Sequence, residues 1–266
     1  MAIISIDPER CTGCGVCAAV CPSGIIAVDG GVPVTIPERS PFCIECGHCE
    51  AFCPSGALAN GAGAGAREEA GDIPPDLLGR YLKSRRSIRH YTSEPVPRET
   101  IEVVLDVARY APSGGNRQPV QWLVVHDPAE VRRLAGLTVD WMRHESASDT
   151  PLMSPAVFAP LIAAWDRGED RICRGAPHLI VAHVPDPSAL VDGIIAVTWA
   201  DAVAPVFGVG TCWAGFLMIA ATRWEPLREA LALPPGRTPA HALMCGYPQY
   251  RPTRIPERRP LELTWR

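Results

Sequence analysis

Lysine is almost missing from this chain of 266 residues: Lys83 is the only one, and arginine supplies the other basic side chains. With 25 basic against 29 acidic residues the net charge is −4. No basic stripe exists that could neutralise a phosphate backbone, so no nucleic acid is expected as a partner. The imbalance is local: residues 1–66 hold Asp7, Glu9, Asp29, Glu38, Glu45 and Glu50 against Arg10 and Arg39, which accounts for all of it. Residues 1–10 also lack the charged start and apolar run of a secretory signal, and a cytoplasmic, reducing setting is expected. Nor is any apolar run free of interruption over the length of a bilayer. The nearest, residues 194–221, contains Asp201, Pro205, Gly208, Gly210 and Gly215. An acid at a bilayer centre costs about 2.5–3.5 kcal/mol, so a buried helix followed by a buried strand is expected there, and no membrane. Apolar residues are not lacking. At 47% hydrophobic and 20% charged, the composition excludes a disordered chain, and the length fits one large domain or two unequal ones.

Eight of the 11 cysteines lie before residue 54. Cys11, Cys14, Cys17 and Cys21 recur 32 residues later as Cys43, Cys46, Cys49 and Cys53, and Pro22, Ser23 and Gly24 recur as Pro54, Ser55 and Gly56. Both copies read C-x2-C-x2-C-x3-C-P. Disulfides do not suit a reducing compartment. A zinc site closes with four ligands, usually from two separated C-x2-C pairs. Three cysteines at three-residue spacing instead wrap one corner of a cubic cluster and leave a fourth iron for a remote thiolate. Over residues 1–60 the repeat resembles the two-cluster bacterial ferredoxins. That resemblance implies two 4Fe-4S clusters with crossed ligation, one held by Cys11, Cys14, Cys17 and Cys53, the other by Cys43, Cys46, Cys49 and Cys21. Gly13, Gly15 and Gly47 are expected at positive φ beside the clusters. His48, inside the second run, is expected near a cluster and not as its ligand. Residues 3–6, 25–28 and 32–36 read as strands of a small βαβ-repeat sheet.

Residues 59–66, Ala-Asn-Gly-Ala-Gly-Ala-Gly-Ala, superficially fit a phosphate loop. Such a loop needs a strand before it and a helix after it, whereas this run precedes the polar residues 67–72. It reads as a linker, here bounded at 61–74 between domains at 1–60 and 75–266. Helical periodicity starts at Pro75 and continues through Leu77, Leu78, Tyr81 and Leu82. Arg85, Arg86, Ser87 and Arg89 follow. Three guanidinium groups and a hydroxyl this close suit forked hydrogen bonds to a phosphate, although a solvated charge run has the same composition. A second helix is expected over residues 98–110, then a loop over 111–119 and a strand over 122–126.

The order of the segments Arg-Arg-Ser-Ile-Arg (85–89), Ala-Pro-Ser-Gly-Gly-Asn-Arg-Gln-Pro (111–119), Gly-Val-Gly-Thr-Cys-Trp-Ala-Gly (208–215) and Gly-Tyr-Pro (246–248) before Arg258 and Arg259 resembles the nitroreductase family of FMN enzymes, over residues 76–266. The resemblance implies an α+β fold assembled as an interlocked homodimer with FMN at the interface. Arg85, Ser87 and Arg89, with Arg86 in the same cluster, would hold the FMN phosphate and ribityl chain. Pro112, Ser113, Gly114 and Asn116 would line the flavin of the partner subunit. Ala214 and Gly215 would direct backbone N–H groups at flavin N5 and O4. Arg258 and Arg259, with Arg254 nearby, would close on the phosphate, and Glu257 stands where relatives carry lysine. Arg174, or else Arg171, is the candidate cation near flavin N1 and O2.

Residues 137–174 match no pattern of the family, and its lid helices are expected to be shortened to residues 185–190. Trp141, Phe158 and Trp165 are candidates for stacking a planar substrate, with core packing the commoner use of such residues. His90 and His144 are proton-donor candidates without a carboxylate partner in sequence; no catalytic residue is assigned. Joined, the two halves suggest that clusters pass electrons to FMN, which reduces a small organic acceptor of nitroaromatic or quinone type. Reduced ferredoxin or NAD(P)H would be the donor. A carrier that docks a partner complex, or a flavin dehydrogenase exporting electrons through the clusters, are the alternatives.

Overall fold

In the computed structural model, residues 4–61 and 71–266 are described. The chain divides into two units, residues 1–72 with Gly115–Arg117, and the remainder.

In the first unit the 32-residue repeat becomes a structural repeat. Helix α1 (Val16–Ala19) and helix α2 (His48–Ala51) are each entered through a left-handed glycine, Gly15 at φ 73° and Gly47 at φ 72°. Gly13 is also left-handed at φ 67°, so all three glycines take the conformation that bends backbone around a bulky group. Strand β1 (Ile4–Ile6) pairs antiparallel with β4 (Leu58–Asn60), and β2 (Ile26–Asp29) with β3 (Val32–Thr35). The expected strands are present, but they form two antiparallel ribbons and not one sheet. The pairing is crossed: the strand before the first cysteine run meets the strand after the second. Ala59 and Asn60, the first two residues of the Ala/Gly run, therefore belong to a strand that ends just before the linker bounded at 61–74. Residues 62–70 of that linker lie outside the described residues. The core is small, Ile25, Ile26, Ala57 and Leu58 with Cys17 and Cys49.

The second unit is built on a four-stranded antiparallel sheet in the order β5 (Gln121–Val125), β6 (His178–Val184), β8 (Thr238–Gly246), β7 (Gly210–Trp213). Every residue of β6 is buried, because helices cover both faces. Alternation divides the sheet between two cores. Leu179, Val181, Ala242 and Met244 face α5 (Pro128–Ser146), α6 (Pro155–Asp166), α8 (Gly215–Arg223) and α9 (Glu225–Ala230). Ile180, Ala182, Leu243 and Cys245 face α4 (Arg98–Ala108) and α7 (Leu190–Val203). Helix α3 (Pro75–Ser84) precedes them and buries none of its residues, leaving Leu77, Leu78 and Leu82 exposed.

The stretch Pro187–Phe207 is long and apolar enough to cross a membrane by composition. Within it α7 lays Ala196, Val197 and Ala200 into the second core. The helix is buried on one face only, with Val191, Ile194 and Trp199 exposed, and strand β7 and α8 follow in place of a single strand. Residues 137–174 hold the latter half of α5, all of α6 and the loops that follow each. Each helix starts at a capping side chain followed by proline: Asp127 accepts from Ala129 N–H, and Ser154 from Ala156 N–H, the usual way to satisfy a first-turn donor.

Candidate functional site

The first unit brings its eight repeat cysteines together in two sets of four. Cys21, Cys43, Cys46 and Cys49 line one cavity with Ile4, Ile25 and Ile26. Cys11, Cys14, Cys17 and Cys53 line another with Gly13 and Gly15. All are free thiols. Among the described residues no three His, Cys, Asp or Glu side chains converge on a single-ion site. Four thiols around a cavity, in contrast, suit a cubic cluster ligated at its corners. The N–H of Ile25 donates to Cys21 Sγ at 3.4 Å, and the N–H of Ala57 to Cys53 Sγ at 3.2 Å. Burial raises the pKa of Cys17 and of Cys49. At Cys53 burial also pushes upward, but donors from Ser55 and Ala57 outweigh it and hold the thiol low. Such hydrogen bonds to sulfur are one lever on a cluster's potential. His48 lines the first of these cavities, stacks on Phe52 at 5.8 Å and has its Nδ1 3.4 Å from the Cys46 carbonyl.

In the second unit four segments far apart in sequence converge. The N–H of Ile88 donates to Thr211 O at 2.9 Å, which lays the arginine segment along β7. A Cβ on Gly210 would come within 2.8 Å of Ile88, and one on Gly246 within 2.6 Å of Pro177 and 2.8 Å of Tyr91. Only glycine permits these approaches. Tyr91 bridges to Pro248, and Thr92 N–H donates to Tyr247 O. The Tyr91 hydroxyl donates to Ile88 O at 2.6 Å, and burial raises its pKa strongly.

Asp201 is the centre of this convergence. It is only 4% exposed, and its carboxylate accepts from the Thr211 hydroxyl and from Trp213 Nε1 at 3.1 Å. Arg85 Nη1 lies 3.2 Å from the same carboxylate. That pair is ionic but off hydrogen-bond geometry, so Arg85 Nη1 is buried without a hydrogen-bond partner. Arg86 is placed differently: its Nη1 donates to Lys83 O at 2.8 Å and to Arg85 O at 2.6 Å, capping the C-terminal end of α3. Its Nη2 is buried without a partner. Both arginines, with Ser84, Ile88, Gly210 and Arg251, line a cavity of about 210 Å³. Two guanidinium nitrogens beside this cavity lack a hydrogen bond, Arg85 Nη1, which is ion-paired with Asp201, and Arg86 Nη2, and guanidinium donors suit an anion such as the phosphate of FMN, so that in this respect the residues present fit that cofactor.

Residues 82–247 match the nitroreductase family. The chain belongs to that family. Residues 3–54 match the 4Fe-4S dicluster domain, so a nitroreductase domain follows a ferredoxin-type domain. The nitroreductase chain is 31% identical over 190 residues to an FMN reductase [NAD(P)H] of Bacillus subtilis, covering 66% of this chain and 68% of the relative. It shares its fold with a nitroreductase of Desulfitobacterium hafniense solved with bound FMN, at TM-score 0.57 and 21% identity, over 71% of this chain and 98% of that one. A nitroreductase of Bacteroides fragilis with bound FMN matches at TM-score 0.51 and 19% identity, over 70% and 94%.

The other residues expected at the nitroreductase site have the following surroundings. Ala214 is buried and its N–H is engaged with Ala242 O at 2.9 Å. Gly215 opens α8, where first-turn N–H groups have no partner within the helix, with open space where a Cβ would lie. Arg251, and neither Arg258 nor Arg259, lines the cavity with Arg85; those two are exposed beyond the last strand, and Arg89 is exposed as well. Pro112 and Ser113 line a second cavity of about 190 Å³ with Arg109, Trp122 and Asp192, and Gly114 N–H donates to Asp192. Asn116 groups with the first unit, where its side chain donates to the carbonyls of Ile44 and Glu45.

Arg171 is held by Glu169 at 2.9 Å, whereas Arg174 makes no ion pair among the described residues. Its φ of 59° is left-handed, imposed where Asp170 accepts from the N–H groups of Ile172, Cys173 and Gly175. Trp141 and Phe158 are fully buried and meet edge to face at 5.3 Å, so they are core and not substrate-stacking residues. Trp165 lies under Arg132. His144 is exposed against Trp224, and His90 against Tyr250. Asp201, Thr211 and Trp213 were not among the expected site residues. The signal for Asp201 was an acid inside an apolar helix, which must find partners when buried.

Proposed function

We propose that this protein is an iron-sulfur flavoprotein reductase that takes up single electrons at its N-terminal cysteine unit and delivers electron pairs to a small organic acceptor of nitroaromatic or quinone type. The observation that supports it most is the pair of four-thiol cavities on a chain whose larger unit is a nitroreductase domain. When bound, each 4Fe-4S cluster exchanges one electron at a time, and FMN exchanges two with organic molecules. Cys11, Cys14, Cys17 and Cys53 hold one cluster; Cys43, Cys46, Cys49 and Cys21 hold the other. Arg85 grips the FMN phosphate, with Ser87 and Arg89 along the same segment and Arg258 or Arg259 closing from the chain end. The Gly215 N–H, at the positive end of α8, faces negative charge on the flavin, and Arg174 supplies a further cation.

The chain acts as a homodimer. The open leucine face of α3 supports this, as do the exposed Leu261, Leu263 and Trp265. Pro112, Ser113 and Gly114 then line the flavin of the partner subunit. The external donor is a reduced ferredoxin; NAD(P)H is the alternative, and the name of the Bacillus relative supports it. Anaerobically purified protein mixed separately with reduced ferredoxin and with NAD(P)H decides between them. Bleaching of the flavin by ferredoxin is expected; bleaching by NAD(P)H alone would assign the clusters another role.

A further inference from the structure

We propose that Asp201 is the positioning residue of the flavin site, orienting Arg85 for the phosphate and fixing Trp213 where β7 leads into Gly215. Asp201 sits on α7, and its partners come from two other parts of the chain: Arg85 just after α3, and Thr211 and Trp213 on β7. A buried carboxylate costs stability unless it is paired and hydrogen-bonded. Here two hydrogen-bond donors, Thr211 and Trp213, and the ion-paired guanidinium of Arg85, all from outside α7, meet that need.

The same oxygen, Oδ2, faces both Arg85 Nη1 and Trp213 Nε1. One group thus ties the arginine segment to the strand that ends beside Gly215. Arg85 has a side chain 28% exposed, so it is anchored at one end and open at the other. Its remaining donors keep their freedom to bind an anion, and anchoring reduces the ordering entropy lost when they do. Trp213 is held from two sides, by Asp201 at its N–H and by the His241 ring at 4.4 Å.

This role rests on the reading of Arg85 as a phosphate ligand, and FMN and riboflavin separate the two because riboflavin lacks the phosphate. The full-length protein, freed of flavin and titrated with each, is the assay. Asp201→Asn keeps the shape but removes the charge, and should weaken FMN by about tenfold or more, the scale of one charge-assisted contact, while riboflavin binding stays within about threefold. The Arg85→Ala/Asp201→Asn double variant should bind FMN no more weakly than Arg85→Ala alone. Thr211→Val, which retains the charge and the fold but removes one donor to the carboxylate, should show a smaller loss confined to FMN. An FMN-to-riboflavin preference unchanged in both Asp201→Asn and Thr211→Val would overturn the positioning role. A wild-type protein that does not prefer FMN to riboflavin would overturn the phosphate reading beneath it.

Discussion

The two units are held together by different physics. In the first, two of the six core residues are cysteines that line the cluster cavities, Cys17 and Cys49. Its apolar core is otherwise Ile25, Ile26, Ala57 and Leu58, too little for a segment of this size to stand without metal. In the second, a sheet with a fully buried central strand carries two cores, and its site is added at the sheet's edge by Asp201 and the arginine segment. Ligation in the first unit is thus part of folding, whereas cofactor binding in the second is an addition to a fold that exists without it.

The largest expected effect follows from that contrast. Removing iron with a chelator under anaerobic conditions should abolish amide-exchange protection over residues 4–61 and leave β6, residues 178–184, protected. Equal loss in both would mean that the two units share one stability.

Within the first unit, Cys53→Ser should disrupt the cluster held by Cys11, Cys14 and Cys17, 36 residues or more away in sequence, and spare the other. Electron paramagnetic resonance of the reduced variants reports which cluster changes. Loss confined to the cluster of Cys43, Cys46 and Cys49 would refute crossed ligation.

In the second unit a core substitution should act on stability alone. Trp141→Ala removes a fully buried ring and should cost about 3–5 kcal/mol, read by denaturant unfolding, with the iron content unchanged. An altered KM for a nitroaromatic at unaltered stability would return Trp141 to the substrate site.

The smallest effect is a pH dependence confined to the second unit. Burial holds His178, His183 and His241 below the ordinary value of 6.5. His178 Nε2 accepts from Val96 N–H at 2.8 Å, while Nδ1 faces the His126 carbonyl at 2.9 Å, an arrangement that suits the neutral ring. The unfolded chain gains protons on these rings as pH falls through about 6.5 and the folded chain does not. Their contribution is therefore complete above that pH and is lost progressively below it. The denaturation midpoint of the second unit should drop between pH 7.5 and 5.5, less so in His178→Gln; identical profiles would contradict the assignment.

How much of each unit could be read in advance follows from the distances involved. The cysteine repeat is local and periodic, so the presence of a dicluster domain and its positive-φ glycines were legible. Strand pairing was not, because β1 meets β4 across the whole unit. In the second unit, α3, α4 and β5 stood out through periodicity. Helices α5 and α6 had readable starts, Asp127-Pro128 and Ser154-Pro155, that their lack of family resemblance obscured. The fate of the Ala214 N–H and the partners of Asp201 depend on contacts between α7, β7 and β8, which no local pattern encodes. The arginines show the limit most plainly: Arg85 and Arg86 are adjacent and chemically identical, yet one faces a buried carboxylate and the other caps a helix.

The central claim is that the cysteine unit is the entry point for electrons used in the nitroreductase unit. Full-length protein and a Cys14→Ala/Cys46→Ala variant, both loaded with flavin, should be mixed with reduced ferredoxin in a stopped-flow instrument and flavin bleaching followed. The account predicts rapid bleaching in the wild type and a loss of at least about tenfold in rate in the variant, with dithionite reducing both. Equal ferredoxin-driven rates in the two proteins would contradict it.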